Sequence, residues 1–441
     1  MLQEFRRASF RLGAILLALS TISCGTVSPA EPRVAPSAEI AEQSRPSPQA
    51  QTLRVALFPW IPDAAEDEFA SLRSSLEKEF ERRHPEIDLE LRLKLYDDSY
   101  YSPAKVAAWL ASGDYDLVEI DTVILGDLLE ADVLAPWPTQ NAGDFFPAAA
   151  SAATVTEKGE EGQEDKVTWW GVPHLLCGFF LVTHSESIDE ASTIDELIAA
   201  VEATGQPVYG NFDSSWDLPS LYLDSRVDHD FDPDDLDEAI RPPLDEATAT
   251  SVDRFADLCQ VGDKNPCVDG TFSNDFDGPV QRFVDGETAG YWGYSERLHL
   301  TSKLLIEQGK SPYDLFIGSI ALGPQRTPTL FTDALVRSTG CADDAGCDHA
   351  SRLFAEFINS DWAIQEVLLS GDAKAIGKPA PPRYLLPATR SAYSLEGIAN
   401  DPYYQELFPF AMSGVALPNE GEMVERRRVI QWLLLQRIQD E

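Results

Sequence analysis

Cys177 is the residue with the clearest potential for chemistry in this sequence. It lies in the apolar segment 171–178 (Gly-Val-Pro-His-Leu-Leu-Cys-Gly), and the spacing of the other five cysteines gives it no evident partner. In an oxidising compartment an unpaired thiol is either enclosed in the core or kept for its reactivity. Taken alone, a cysteine on an apolar strand is more often a small buried residue, so the surrounding residues have to decide.

Four of the other cysteines form two closely spaced pairs. Cys259 and Cys267 are eight positions apart, and Cys341 and Cys347 enclose a short acidic run. Each pair predicts a disulfide that closes a surface loop in an exported protein. Zinc is the alternative, but no histidine or further cysteine lies at ligand spacing from either pair. We therefore expect no metal and no cofactor.

The amino-terminal segment has the order of an export signal. Basic residues precede an apolar run that is too short for a stable membrane anchor, and small residues follow, up to Cys24. Residues 1–23 are predicted to be a signal peptide and residues 24–52 a flexible linker rich in Ser, Pro and Ala. Cys24 resembles a bacterial lipidation site, which predicts a lipid-tethered protein of the cell envelope. Ordinary signal cleavage is the alternative.

The chain is strongly acidic, with 74 Asp and Glu against 34 Lys and Arg and a formal charge of −40. This charge repels nucleic acid and anionic lipid, so neither is an expected partner. A cationic ligand would be attracted. The acidity is equally well explained by solubility alone.

The order of elements in the first third of the chain predicts an α/β sheet. A buried strand over Leu53–Phe58 precedes a helix from about Ala64 to Arg83, an alternating strand over Ile87–Leu93 follows, and a further strand ends at Asp121. Sheets of this class bind ligands where strands end. Phe58, Trp60 and Asp121 are predicted to lie at such ends.

Five short motifs, read in chain order, carry a resemblance to a known family. They are segments 58–63 (Phe-Pro-Trp-Ile-Pro-Asp), 116–121, 173–177, 293–296 (Gly-Tyr-Ser-Glu) and 381–387. From about Leu53 to its carboxyl end the chain resembles thiaminase I, the thiamine pyridinylase family. The segment ending in Cys177 and the Gly-Tyr-Ser-Glu segment are the most specific. Members of that family displace the thiazole of thiamine by another base.

The resemblance implies a division of roles among a few side chains. Cys177 corresponds to the nucleophile of the family, and Glu296 to the carboxylate that activates it. Asp121 and Asp333 correspond to carboxylates that hold the aminopyrimidine ring. His174 precedes the cysteine by three residues, and strand alternation would direct the two to opposite faces, so it is interpreted as structural.

Aromatic residues complete the implied pocket. Tyr294 matches through Gly-Tyr-Ser-Glu, and either Tyr100 or Tyr101 matches a pocket tyrosine. Phe58 and Trp60 stand where the family often has tyrosines, so stacking would be kept while a hydroxyl contact would be missing.

The implied fold is an α/β fold of two lobes, similar to type II periplasmic binding proteins, with two mixed sheets flanked by helices, a hinge and a central cleft. Residues 53–181 and 325–372 would form the first lobe, and residues 182–324 and 373–441 the second. The expected protein is a monomeric enzyme that binds thiamine and a nucleophilic co-substrate (an amine, a pyridine or a thiol). The alternative is a non-catalytic solute-binding lipoprotein that delivers thiamine or a pyrimidine to an ABC importer.

Overall fold

The computed structural model describes residues 51–440 except Thr139, residues 160–164, residues 230–235, Asn274 and Pro324. The predicted signal peptide, the lipidation site at Cys24 and almost all of the predicted linker lie outside the described residues. Nothing in the structure bears on them.

Strands and helices alternate along the chain. The strands are β1 Gln51–Ala56, β2 Ile87–Arg92, β3 Leu117–Asp121, β4 Leu134–Ala135, β5 Thr154–Glu157, β6 Lys166–Trp169, β7 Val172–Thr183, β8 Val208–Tyr209, β9 Gly290–Tyr294, β10 Phe316–Gly318, β11 Thr329–Ser338, β12 Leu386–Pro387 and β13 Val415–Ala416.

The α-helices are distributed along the described chain from Ala70 to Asp440. They are α1 Ala70–Arg83, α2 Pro103–Ser112, α3 Leu125–Glu130, α4 Pro147–Ala152, α5 Glu186–Asp189, α6 Ile194–Thr204, α7 Asp217–Asp228, α8 Leu236–Ala239, α9 Glu246–Ala256, α10 Gly278–Val284, α11 Arg297–Glu307, α12 Thr339–Asp343, α13 Ala345–Ile358, α14 Asp361–Leu368, α15 Gly371–Ala375, α16 Glu396–Ala399, α17 Pro402–Ser413 and α18 Met423–Asp440.

Eleven of the described strands form one mixed sheet whose main order is β2-β1-β3-β11-β7-β9-β8. Strand β1 pairs in parallel with β2 and β3, whereas β3, β11, β7 and β9 pair antiparallel in succession. The long strand β7 joins two regions of the sheet. Its residues up to Gly178 pair with β11, and those from Phe179 onward pair with β9. The predicted assignment of residues to two lobes stays a prediction.

Two buried apolar clusters hold the helices against this sheet. In the first, α1 packs Leu76 and Phe80 toward β2, and Phe354 of α13 contacts Phe80 with ring centroids 5.6 Å apart. In the second, Phe255 of α9 and Leu434 of α18 are buried beside the sheet region around β9. Helix α1 begins at Ala70 and not near Ala64, because the preceding segment turns through positive φ at Glu66, Glu68 and Phe69.

Both predicted disulfides are present in the structure. Cys259 bonds Cys267 with a Cα–Cα distance of 6.0 Å, and Cys341 bonds Cys347 at 5.1 Å. Among the described residues Cys177 is the free cysteine, and it is half-buried. The part of the chain that the structure describes contains no helix with the length and apolar character that a membrane crossing needs.

Candidate functional site

The register of the central strands brings two predicted carboxylates and the free cysteine to one face of the sheet. Asp121 of β3 lies opposite Asp333 of β11, and Cys177 of β7 lies opposite Phe331 of β11. Directly opposed residues project from the same face, and so do residues two positions apart on one strand. Phe331 and Asp333 therefore join the two pairs into a continuous surface.

A turn after β9 places Glu296 beside this surface. The backbone N–H of Ser295 donates to the carbonyl oxygen of Gly178 at 3.0 Å, which ties the turn to the residue after Cys177. Glu296 is the residue immediately before α11, and Tyr294 is the last residue of β9, which pairs with β7. The Gly-Tyr-Ser-Glu segment thus places Tyr294 and Glu296 near Cys177.

These side chains line a cavity of about 610 Å³. Of the nine residues predicted to act on substrate, all except Tyr100 line it. Tyr100 is buried behind Phe58, with their rings edge to face at 5.9 Å, whereas Tyr101 faces the cavity. The volume suits a drug-sized ligand with two small rings.

The Cys177 thiol is held in its protonated form. Burial raises the pKa of the thiol well above its ordinary value, and the neighbouring charges of Glu296, Asp333 and Asp121 raise it further. A thiolate is the nucleophilic form of cysteine. Cys177 can therefore attack at neutral pH only if a nearby group removes its proton as the new bond forms.

Glu296 has the protonation properties that such a base needs. Burial raises the pKa of its carboxyl group to about 7, although the neighbouring Arg297 guanidinium opposes the shift. The hydroxyl of Ser295 donates to Glu296 Oε2 at a long 3.5 Å, so the carboxylate keeps most of its capacity to accept a proton. A base with a pKa near the working pH transfers protons most effectively.

The two opposed aspartates are also poorly solvated. Burial raises the pKa of Asp121 to about 7, against the effect of the Val123 N–H that donates to its Oδ1 at 3.1 Å. Burial, together with the charges of Glu119 and Asp121, holds the pKa of Asp333 well above its usual range. At neutral pH this pair can include a protonated carboxyl group, which donates a hydrogen bond, beside an ionised one, which accepts.

Aromatic rings form one wall of the cavity. Trp60 contacts Tyr96 at a centroid distance of 5.3 Å and Tyr101 at 6.2 Å, and Tyr101 in turn packs 4.3 Å from Trp216. Such a surface suits a flat heterocycle, and it attracts a cation through the ring quadrupoles.

His174 supports this wall from behind. Its Nδ1 contacts Glu119 Oε1 at 2.5 Å, and Glu119 Oε2 accepts a hydrogen bond from the Phe58 backbone N–H at 3.0 Å. His174 is 2% exposed and does not line the cavity. It therefore positions the turn after β1 and does not act on Cys177.

Sequence reasoning missed several residues of the site. Trp216 and Asp217 line the cavity from the start of α7. Arg427 of the last helix is buried with its guanidinium carbon 5.1 Å from the Trp216 ring and 5.2 Å from the Phe331 ring. Its positive charge moderates the raised pKa values of Asp121 and Asp217. No local signal distinguishes these positions, because they come together only through tertiary packing.

The candidate metal cluster in the described part of the chain lies elsewhere. It consists of Asp116, Cys341 and Cys347, and the two sulfurs of this cluster are joined in a disulfide. Thiol groups in a disulfide cannot supply thiolate ligands. This cluster is therefore not a metal site.

The chain is similar to known proteins both in sequence and in structure. No family model matches the chain. Thiaminase-1 of Paenibacillus thiaminolyticus is 23% identical over 371 residues, which cover 81% of this chain and 80% of that protein. Thiaminase I of Clostridium botulinum, solved in complex with thiamin, superposes with a TM-score of 0.64 at 17% identity, over 88% of this chain and all of that one.

The same fold is found in a sugar receptor. The GacH receptor of Streptomyces glaucescens, solved without ligand and with acarbose, superposes with a TM-score of 0.62 at 16% identity, over 89% of this chain and 94% of that one. The predicted α/β fold of the periplasmic binding proteins and the predicted resemblance to thiaminase I are both confirmed. The chain is a homologue of thiaminase-1 with the fold that thiaminase I shares with solute receptors.

Proposed function

We propose that this protein is a thiaminase I-like transferase that moves the pyrimidinylmethyl group of thiamine to a nucleophile. The observation that carries the proposal is the free Cys177 thiol in a cavity that it shares with Glu296, Asp121 and Asp333. The relationship to thiaminase-1 supports the same assignment.

In the proposed reaction Cys177 Sγ adds to the pyrimidine ring while its proton passes to Glu296. The bond between the methylene carbon and the thiazolium nitrogen then breaks, and the nitrogen takes the electron pair, so a neutral thiazole departs. The co-substrate next bonds the methylene carbon, and the cysteine sulfur leaves the ring. Cysteine suits this sequence because sulfur both adds to and leaves a carbon readily.

The remaining cavity residues orient and activate the ring. An ionised carboxylate of the Asp121 and Asp333 pair accepts from the exocyclic amine, and a protonated one donates to a ring nitrogen, which makes the ring a better acceptor of electrons. The rings of Trp60, Tyr101 and Tyr294 hold the flat heterocycles in place. Orientation of this kind supplies a large part of the rate.

Export is part of the proposal. Two disulfides fit an oxidising compartment, and a signal peptide with a lipidated Cys24 would tether the folded body to a membrane as a monomer. A non-catalytic receptor would share the cavity and the fold, but it has no need of a free thiol beside a carboxylate with a pKa near neutrality. The transferase is therefore the better account of the site.

The test is incubation of the purified protein with thiamine and pyridine, with released thiazole measured by chromatography. We expect the wild type to release thiazole and Cys177→Ser to release none above background. Binding of thiamine to Cys177→Ser, measured by calorimetry, should stay within about tenfold of the wild type, or about 1.4 kcal/mol.

The binding measurement separates a lost nucleophile from a lost fold. No thiazole from the wild type, with thiamine still bound, would leave the receptor as the correct function. Equal release from the wild type and Cys177→Ser would show that another group attacks the ring.

A further inference from the structure

Asp217 is a buried carboxylate for which the proposed reaction has no role. It is the first residue of the 12-residue helix α7, it lines the cavity, and it is 6% exposed. Within the described part of the chain, its Oδ2 has no hydrogen-bond partner. Burial raises the pKa of Asp217 to about 7, although a hydrogen bond with Ser214 and the charges of Arg297 and Arg427 oppose the shift. A buried acceptor that the protein leaves unpaired is costly unless a ligand satisfies it.

Acidic side chains outnumber basic ones along the cavity, although Asp121, Asp217 and Glu296, with pKa values of about 7, are only partly ionised at neutral pH. Besides the three carboxylates of the proposed reaction, Asp98, Asp217, Asp275 and Asp277 also line it, which makes seven acidic groups. Arg297 is the only basic side chain among the described lining residues, and its Nη1 contacts Asp277 Oδ1 at 2.5 Å. The buried Arg427 guanidinium adds one positive charge behind the lining, near Asp121 and Asp217. Thiamine brings one positive charge, but the thiazole leaves as a neutral molecule. After that step the cavity has lost its cation while its carboxylates remain.

The spacing of these carboxylates suits an organic cation. In the described residues they do not bring three ligand atoms within 4.8 Å of one another, as a small metal ion would require. A protonated amine, in contrast, needs one or two carboxylates at hydrogen-bond distance.

We infer that Asp217, with the carboxylates around it, selects a nucleophilic co-substrate that carries a positive charge close to its attacking atom. The inference rests on the proposed transferase function and names the class of its acceptor: a nitrogen base that also bears an ammonium group. The attacking atom and the charged group must be different atoms, because a protonated nitrogen has no lone pair with which to attack. The departing thiazole vacates the space that this acceptor enters.

The test uses three pyridines that differ only in the substituent at position 3: aminomethyl, methyl and carboxylate, compared at pH 7 with saturating thiamine. The ring nitrogen attacks in each, while the substituent is a cation, neutral or an anion. We expect the acceptor kcat/KM of the wild type to be at least about tenfold higher for the aminomethyl than for the methyl compound, and lowest for the carboxylate. In Asp217→Asn the ratio of kcat/KM for the aminomethyl compound to kcat/KM for the methyl compound should fall below about threefold.

Asp88→Asn is the matched control, since Asp88 is an exposed carboxylate on β2 outside the cavity and its removal changes the net charge equally. It should keep the wild-type ratio. If Asp217→Asn does not fold, Asp217→Ser removes the same carboxylate with a smaller side chain.

Equal kcat/KM for the three pyridines in the wild type would overturn the inference while thiazole release upholds the transferase. An unchanged ratio in both Asp217 variants would also overturn it. Absence of thiazole with every acceptor would overturn the proposed function, and the inference with it.

Discussion

Two regions of this protein surround buried acidic groups in opposite ways. At the contact between helix α15 and the segment that follows it, both carboxylate oxygens of Asp372 accept hydrogen bonds from Arg383 Nη2, at 2.9 and 2.8 Å, and both side chains are fully buried. Arg383 also donates to the carbonyl oxygens of Pro62 and Val367. The two buried charges are paired with each other, which fixes one geometry.

The cavity uses the same residue type without pairing it. Asp121 accepts one backbone hydrogen bond, Asp217 has a hydrogen bond with Ser214 but leaves Oδ2 without a partner in the described structure, and Glu296 has a backbone hydrogen bond and the long contact to Ser295. Their pKa values all rise to about 7 for lack of solvation. The comparison teaches that paired carboxylates hold the fold, whereas unpaired ones are kept at a cost in stability so that substrate and protons can satisfy them.

Among substitutions that keep Cys177, the largest effect is expected for Glu296→Gln. Removal of a general base lowers kcat/KM by about 10²- to 10⁴-fold. In the wild type, kcat/KM should rise with pH through about 7, because Glu296 accepts a proton only when it is ionised. Steady-state rates from pH 5 to pH 9 check both points. Glu307→Gln, an exposed change on α11, should match the wild type, and a variant of Glu296 that keeps the full rate would remove it from the mechanism.

Asp372→Asn tests the paired region. It leaves the buried Arg383 guanidinium without a countercharge, and we expect the free energy of unfolding in urea to fall by about 3–5 kcal/mol. Asp237→Asn breaks the surface ion pair with Arg241 and should change the free energy of unfolding by less than about 1 kcal/mol. Both variants should keep the kcat/KM of the folded protein. If Asp372→Asn lowered the free energy of unfolding as little as Asp237→Asn, this would contradict the structural role of the Asp372–Arg383 pair.

The same substitution in the cavity, Asp121→Asn, should raise the free energy of unfolding instead of lowering it. A group whose folded pKa is raised contributes stability below its unfolded pKa, near 4, and loses it as pH rises through its folded pKa, here about 7. Asn does not ionise, so the variant should be more stable than the wild type by about 1–3 kcal/mol at pH 8 and nearly equal to it at pH 4. Urea unfolding at the two pH values measures this, and destabilisation at pH 8 would contradict it.

The smallest effect is expected in the aromatic wall. Trp60→Phe keeps a flat ring but weakens the attraction for a cation by about 0.5–1 kcal/mol, so the dissociation constant for thiamine should rise about two- to fivefold. Calorimetry on the Cys177→Ser background measures binding without turnover. Trp432→Phe, at an exposed position of α18, is the control and should change nothing. Equal binding by both variants would show that Trp60 does not touch the ligand.

Local sequence was sufficient for the parts of the site that lie in short contiguous motifs. Cys177 could be singled out because four of the other cysteines pair by spacing and Cys24 lies in the predicted lipidation site, and Gly-Tyr-Ser-Glu carries Tyr294 and Glu296 together. The choice between Tyr100 and Tyr101 could not be made, because both lie in the 3-10 helix Asp98–Tyr101, where successive side chains point about 120° apart.

The other missing parts depend on tertiary packing. Among 74 acidic residues the sequence cannot mark Asp217 as buried, since burial depends on how α7 packs against β7 and β11. Arg427 reaches the site from the last helix, more than 200 positions from Trp216, whose backbone carbonyl it contacts. Contacts of that sequence separation leave no local pattern.

The most direct test of the account is the mass of the peptide that contains Cys177 after the protein is incubated with thiamine and no added co-substrate. We predict that this peptide gains one pyrimidinylmethyl group as an equivalent of thiazole is released, and that the Cys177→Ser peptide gains nothing. Release of thiazole with no group on Cys177, while Cys177→Ser works at the wild-type rate, would contradict the central claim that this sulfur attacks the bound ring.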